Sequence, residues 1–159
     1  MINNSELVTW TDGLSCGVKV IDDQHKRLVS LVNEMFNNVT GNCTQEQDYF
    51  SRISQEAIMY VTNHFSTEEK IMLVTKFPGY AEHKREHDSF VLVFVENIRD
   101  YKAGKRFTLS TLTRFLKDWI LSHIALLDKQ YFEYAVKIFS RNADGGLSID
   151  IKDMSNTRR

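Results

Sequence analysis

The stretch Phe50-Ser51-Arg52-Ile53-Ser54-Gln55-Glu56-Ala57-Ile58-Met59-Tyr60-Val61-Thr62-Asn63-His64-Phe65-Ser66-Thr67-Glu68 decides the fold. Phe50, Ile53, Ala57, Val61, His64, Glu68 and, one turn on, Met72 recur at three- and four-residue steps, the period of one face of an α-helix. A histidine and a carboxylate therefore sit on the stripe that the apolar residues assign to a core.

Three other segments carry the same period. The first starts near Ile21 and presents Leu28, Leu31, Val32, Met35, Phe36 and Val39, with His25 one turn before Leu28; Gly41 and Asn42 stop it. Thr44-Gln45-Glu46-Gln47 has the form of a capping box that opens the second helix, and Phe77-Pro78-Gly79 ends it. The third runs from about Tyr80 to Tyr101, with His83, His87, Phe90, Val91, Phe94 and Ile98 on one side and Gly104 beyond its end. The fourth starts near Thr108 or Ser110, carries Leu112, Leu116, Trp119, Ile120, His123, Leu127, Tyr131, Ala135 and Ile138, and stops before Asp144-Gly145-Gly146.

Short connections, one proline and no strand-like alternation predict an all-α, antiparallel up-down-up-down four-helix bundle. Residues 1–18, with Gly13, Gly17 and no sustained period, read as an irregular arm anchored by Trp10. The bundle spans about 19–142, and a polar tail covers about 144–159. At 159 residues and 42% hydrophobic, the chain is expected to form a single domain.

A formal charge of -1, with basic residues scattered among acidic ones, offers no stripe for nucleic acid or an anionic membrane. No apolar run is long enough to span a bilayer and the start lacks a leader pattern, so a cytoplasmic protein is expected. Cys16 and Cys43 are too far apart for a zinc ribbon or a redox pair, and no disulfide is expected.

All five histidines, His25, His64, His83, His87 and His123, fall on predicted inner faces. His64 and Glu68 are four apart, His83 and His87 are four apart, and Asp128 follows His123 by five. Any one of these has an ordinary alternative: a hydrogen-bonded core histidine, a surface i,i+4 pair, a solvated imidazole. Five buried imidazoles without a metal would need five separate partners in one small core, so metal binding between the helices is the economical reading. Five residues overshoot a helical turn by about 140°. Either His123 and Asp128 straddle the site, or the helix widens there.

His83-Lys84-Arg85-Glu86-His87 also matches the H-x-x-E-H pattern of inverted zinc peptidases, which would leave His25, His64 and His123 without a role. None of the ten glutamates has a histidine three residues later, which removes the Glu-x-x-His arrangement of di-iron oxidases. Residues 142–150 lack the acidic spacing of a calcium loop. Imidazole and carboxylate ligands without thiolate suit iron, with zinc left open by ligand type. Two six-coordinate ions offer twelve positions. Five imidazoles, two carboxylates bridging through both oxygens and one bridging solvent oxygen occupy eleven, leaving one for a small neutral ligand.

Ile21-Asp22-Asp23-Gln24-His25-Lys26, His64-Phe65-Ser66-Thr67-Glu68-Glu69, His83-Lys84-Arg85-Glu86-His87 and Trp119-Ile120-Leu121-Ser122-His123-Ile124-Ala125-Leu126-Leu127-Asp128 together resemble the hemerythrins, in particular the stand-alone bacterial members, over Trp10 to about Tyr131. The resemblance implies two irons per chain, bridged by an oxo or hydroxo group and by Glu68 and Asp128. His83, His87 and His123 would hold the coordinatively filled iron, and His25 and His64 the iron with the open position. Glu69 is set aside as a bridge because only Glu68 lies one turn from His64.

The implied activity is reversible binding of O2 for transport, storage or delivery, without enzymatic turnover. A module sensing O2 or nitric oxide, or a di-iron enzyme acting on peroxide, nitric oxide or iron, is the alternative. O2 is the implied partner, and the sequence names no recipient protein. Leu28, Phe65, Trp119, Ile120 and Ile124 are candidates for the apolar wall of the O2 pocket, each equally readable as bundle core.

Overall fold

The computed structural model describes residues 6–105 and 108–142. The first residues of the arm, the polar tail and the helix stop expected at Asp144 lie outside them. Five α-helices follow one another: α1 (Lys19–Asn37), α2 (Cys43–Thr75), α3 (Tyr80–Lys102), α4 (Leu109–Ser122) and α5 (Lys129–Asn142). Between α4 and α5 lies a wide π turn, His123–Asp128, whose flanking residues keep right-handed helical dihedrals, so α4, the turn and α5 form one continuous rod. Among the described residues there is no strand.

Each rod crosses two apolar clusters with a polar layer between them, and the order in which it does so gives its direction. Along α1, Ile21 belongs to the smaller cluster, His25 to the polar layer, and Leu28 through Met35 to the larger cluster. Along α2 the order reverses, with Val61 and Phe65 in the larger cluster before Ile71 and Met72 in the smaller. Helix α3 passes from Tyr80 through His83 and His87 to Phe90 and Phe94, and the last rod from Leu116 and Ile120 through His123 and Asp128 to Tyr131 and Phe132. The four rods thus alternate up and down. Helix α1 packs on α2 and α4, α3 on α2, and α5 on α2. The polar layer is fixed at one height because the apolar residues on either side of it are in register.

The helix ends show where local chemistry was misread. The N-cap of α2 is Asn42, whose side-chain oxygen accepts the N–H groups of Thr44 and Gln45 at 3.1 and 3.3 Å, so the expected box starting at Thr44 does not form. Gly41, at φ 74°, turns the chain before that cap. Glu46 then reaches back to accept the N–H groups of Thr40 and Gly41 at 2.7 Å each. Helix α2 ends before Phe77-Pro78-Gly79, at Lys76, which adopts the left-handed conformation (φ 54°) while the Phe77 N–H closes on the Met72 carbonyl. Of the two starts left open for the fourth helix, Thr108 is the cap of α4, its hydroxyl accepting from the Thr111 N–H.

The arm is tied down twice. Asn33 accepts from the N–H groups of Leu7 and Val8 at 2.9 Å each and donates to the Val8 carbonyl at 2.8 Å. Asp22 accepts from the Ser15 hydroxyl at 2.6 Å and from the N–H groups of Cys16 and Gly17. Burial would raise the Asp22 carboxyl, but these bonds outweigh it and hold the group below its ordinary range. Trp10 lies over α1, 6.4 Å from the His25 ring, with the Lys26 ammonium over its outer side. Cys16 is a free thiol, and the side chain of Cys43 lies outside the described set.

Candidate metal centre

The seven residues expected from the sequence converge in the polar layer, and all are buried: His25, His64, Glu68, His83, His87, His123 and Asp128. They divide into two donor groups. Glu68, His83, His87 and His123 form one, and His25, His64, Glu68 and Asp128 the other, the donor atoms within each lying inside 4.8 Å of one another.

In the first group the Nε2 atoms of His83, His87 and His123 stand 3.1, 3.1 and 3.2 Å apart. A proton on one of them leaves two in-plane lone pairs facing each other, so hydrogen bonds alone cannot satisfy this triangle. A cation can. Imidazole nitrogens about 2.1 Å from one ion stand about 3.0 Å apart at a right angle and about 3.4 Å apart at the tetrahedral angle. The observed spacing lies between these values, so the three nitrogens are placed to converge on one ion.

The carboxylates connect the groups. Glu68 turns Oε1 toward His64 Nε2 (3.4 Å) and His25 Nε2 (3.7 Å), and Oε2 toward His87 Nε2 (3.2 Å) and His83 Nε2 (3.8 Å). Asp128 turns Oδ2 toward His25 (3.2 Å) and Oδ1 toward His123 (3.1 Å) and His83 (3.4 Å). The π turn makes the last arrangement possible. Its i→i+5 pattern brings residues five apart onto one face, so Asp128 points inward beside His123.

Several of these atoms, Glu68 Oε2, both Asp128 oxygens and both His25 nitrogens, are buried without a hydrogen-bond partner among the described residues. Orphaned polar atoms this deep are costly, and a bound cation is the partner they lack.

The electrostatics agree. Burial opposes ionisation of Glu68 and Asp128, and at Asp128 the Glu68 charge opposes it further. The surrounding histidines overcome this and hold both carboxyls well below the carboxylate range. Burial also works against a charged imidazole at His25 and His83, yet the adjacent Asp128 and Glu68 carboxylates prevail and raise both to about 9. At His64 burial wins, and the imidazole is pushed down to about 4. The layer is built to hold positive charge against two carboxylates.

Three supporting contacts were not foreseen from the sequence. The Gln24 carbonyl faces His64 Nδ1 at 3.0 Å, Glu69 Oε1 faces His87 Nδ1 at 3.1 Å, and the buried Tyr131 hydroxyl donates to Glu68 Oε1 at 2.8 Å. Helical period places Tyr131 on the inner face, so burial was legible there while its partner was not. Of the candidate pocket residues, Leu28, Phe65, Ile120 and Ile124 are buried in the larger apolar cluster, with the half-buried Trp119 packed against it. Phe65 stacks on the His87 ring (3.7 Å, 3°) and Trp119 on the His123 ring (4.2 Å, 17°). No helix of the described residues is long and apolar enough to cross a membrane.

Comparison with known proteins bears on the same residues. Residues 16–135 match the family described as the hemerythrin HHE cation binding domain. The chain is 34% identical over 127 residues to a bacteriohemerythrin of Methylococcus capsulatus, covering 79% of this chain and 94% of that one. It is 28% identical over 123 residues to a myohemerythrin of Sipunculus nudus, covering 77% and 88%. A crystal structure of wild-type hemerythrin superimposes with a TM-score of 0.71 at 33% identity, covering 81% of this chain and 98% of that one. The chain belongs to the hemerythrin family.

Proposed function

We propose that this chain binds O2 reversibly at a non-haem di-iron centre. His83, His87 and His123 would hold one iron, His25 and His64 the other, and Glu68 and Asp128 would each offer one oxygen to either group. The observation that carries this reading is the split of the two carboxylates, each of which offers one oxygen to each histidine group.

Counting donors assigns the open position. One histidine group would supply three imidazoles and two carboxylate oxygens, the other two imidazoles and two carboxylate oxygens. The His25 and His64 group therefore has one donor fewer, and a small ligand would bind on that side.

The irons, when bound, supply the electrons for reversible O2 binding. The protein's part is to hold and to seal. Tyr131 and the two histidine groups fix the orientation of Glu68, and Gln24 sets that of His64. Leu28, Ile120 and Ile124, with Phe65 and Trp119, form the apolar wall that keeps water from the centre. Trp10 covers His25 from the arm.

The decisive experiment is anaerobic reconstitution with ferrous iron, followed by cycles of O2 and vacuum with the visible spectrum recorded. About two irons per chain, and an absorption band that appears with O2 and disappears on degassing, are expected. One zinc per chain, or irreversible oxidation with turnover of a substrate, would overturn the proposal.

A further inference from the structure

Glu69, which spacing removes as a bridge, is attached to the centre from behind. We propose that Glu69 is a positioning residue for His87: it holds the proton on Nδ1, turns Nε2 toward the metal, and through its charge makes His87 a stronger donor than the other four imidazoles. The proposal rests on the di-iron reading above.

The five histidines differ at their outer nitrogens. The Nδ1 atoms of His25 and His123 have no hydrogen-bond partner, and His64 Nδ1 meets the neutral amide of Gln24. Among the described residues, only His87 presents Nδ1 to a carboxylate, Glu69 Oε1 at 3.1 Å. An ionised carboxylate only accepts hydrogen bonds, so the proton between them belongs to Nδ1. Nε2, which faces its counterparts on His83 and His123, is then left with a free lone pair.

The geometry is held from three sides. Phe65 lies parallel to the His87 ring at 3.7 Å and blocks its rotation. Lys84 Nζ stands 3.7 Å from Glu69 Oε2 and is itself fixed by Asp88 at 2.8 Å. Glu69 opens on a groove between α2 and α3 of about 440 Å³ and is partly exposed there, so its charge remains partly hydrated while its inner oxygen stays on the buried imidazole of His87. A carboxylate behind a ligating histidine increases the basicity of that histidine and favours the more highly charged ion in front of it. The iron of the three-histidine group is accordingly the one whose ferric form Glu69 stabilises. The couple concerned is the uptake of one electron by that ferric ion to give the ferrous ion, the electron coming from the titrating reductant.

Two variants of the full, iron-loaded chain separate charge from position. Glu69→Gln keeps an oxygen for the His87 N–H but removes the charge. It should retain iron like the parent and shift the ferric–ferrous equilibrium about tenfold toward ferrous iron, ~59 mV in a spectroscopic redox titration. Glu69→Ala loses both and should in addition surrender iron to a competing chelator with an affinity about 10- to 100-fold lower. If both variants match the parent in potential and in chelator competition, Glu69 has no such role. If Gln restores the potential as well as the iron affinity, the charge is irrelevant and that half of the proposal is wrong. A parent that binds no iron overturns the di-iron reading and this one with it, whereas a parent that loads iron and cycles with O2 beside unaltered variants overturns this one alone.

Discussion

The Tyr131 hydroxyl donates a hydrogen bond of 2.8 Å to Glu68 Oε1, the carboxylate oxygen that faces His25 and His64. Both residues are completely buried. Burial and the charges of Glu68 and Asp128 raise the phenol well above its ordinary value, so it stays a neutral donor throughout the physiological range. On the proposed assignment of the ligand site to this side, Tyr131 would steady the carboxylate next to it.

Removing the hydroxyl leaves Glu68 Oε1 short of a partner while the aromatic ring still fills its place. Tyr131→Phe should cost about 1.5–3 kcal/mol, the range for a hydrogen bond to a charged group. For a chain of 159 residues that lowers the melting temperature by roughly 3–12 °C. Iron content should hold at the parent's value. Thermal unfolding checks the first expectation and metal analysis the second, and an unchanged melting temperature would show that the bond contributes nothing net.

Loading the centre should expel protons. In the metal-free chain His25 and His83, raised to about 9, are charged at neutral pH and balance the two buried carboxylates, while His64, at about 4, is already neutral. An unfolded imidazole titrates near 6.5, so the stability these two residues contribute is complete below that pH and is lost as pH rises from about 6.5 to 9. Ligation requires the neutral imidazole, so ferrous iron binding at about pH 7.5 releases close to two protons from His25 and His83 together. Calorimetry in buffers of different ionisation enthalpy counts them. The metal-free melting temperature should fall between pH 6.5 and 9, and constancy over that range would refute the charge assignment.

The arm is expected to protect the metal. Asn33→Ala deletes the three hydrogen bonds that hold Leu7 and Val8 and frees the segment that carries Trp10 over His25. The bundle core is untouched, so the loss of stability should stay near 1–3 kcal/mol, while iron passes to an external chelator several-fold faster. An unaltered rate of iron loss would mean that Trp10 does not limit access.

How much of this was legible in the sequence depends on the range of the interaction. The helical stripes of α1 to α3 and the fourth rod follow from three- and four-residue periodicity, and with them the inward placement of all five histidines. The relation of His123 to Asp128 was only half legible, because a five-residue spacing permits either a straddled site or a widened turn. The choice of the π turn rests on groups from other helices, because in it Asp128 faces His25 of α1 and His83 of α3. Asn42 and Thr44 are both able to cap α2, and the turn at Gly41 decides between them. Contacts such as Gln24 to His64 or Glu69 to His87 join different helices, and nothing in the local pattern pairs them.

The seal over the O2 site gives the last test. Ile120 is 2% exposed and lies one turn before His123 in the larger apolar cluster, where a β-branched side chain has few rotamers and makes a firm barrier. Ile120→Ala should cost roughly 2–5 kcal/mol, because the rigid rods around it cannot close fully over the space left behind. Its position spares every ligand, so iron content should be preserved. What changes is access: with the apolar wall shortened, water should reach the buried centre and autoxidation should quicken. Measuring the decay of the oxygenated spectrum in parent and variant at equal iron content decides the matter. If the variant loses stability but autoxidises at the parent's rate, Ile120 is packing only, and the barrier to water must be sought at Leu28 or Phe65.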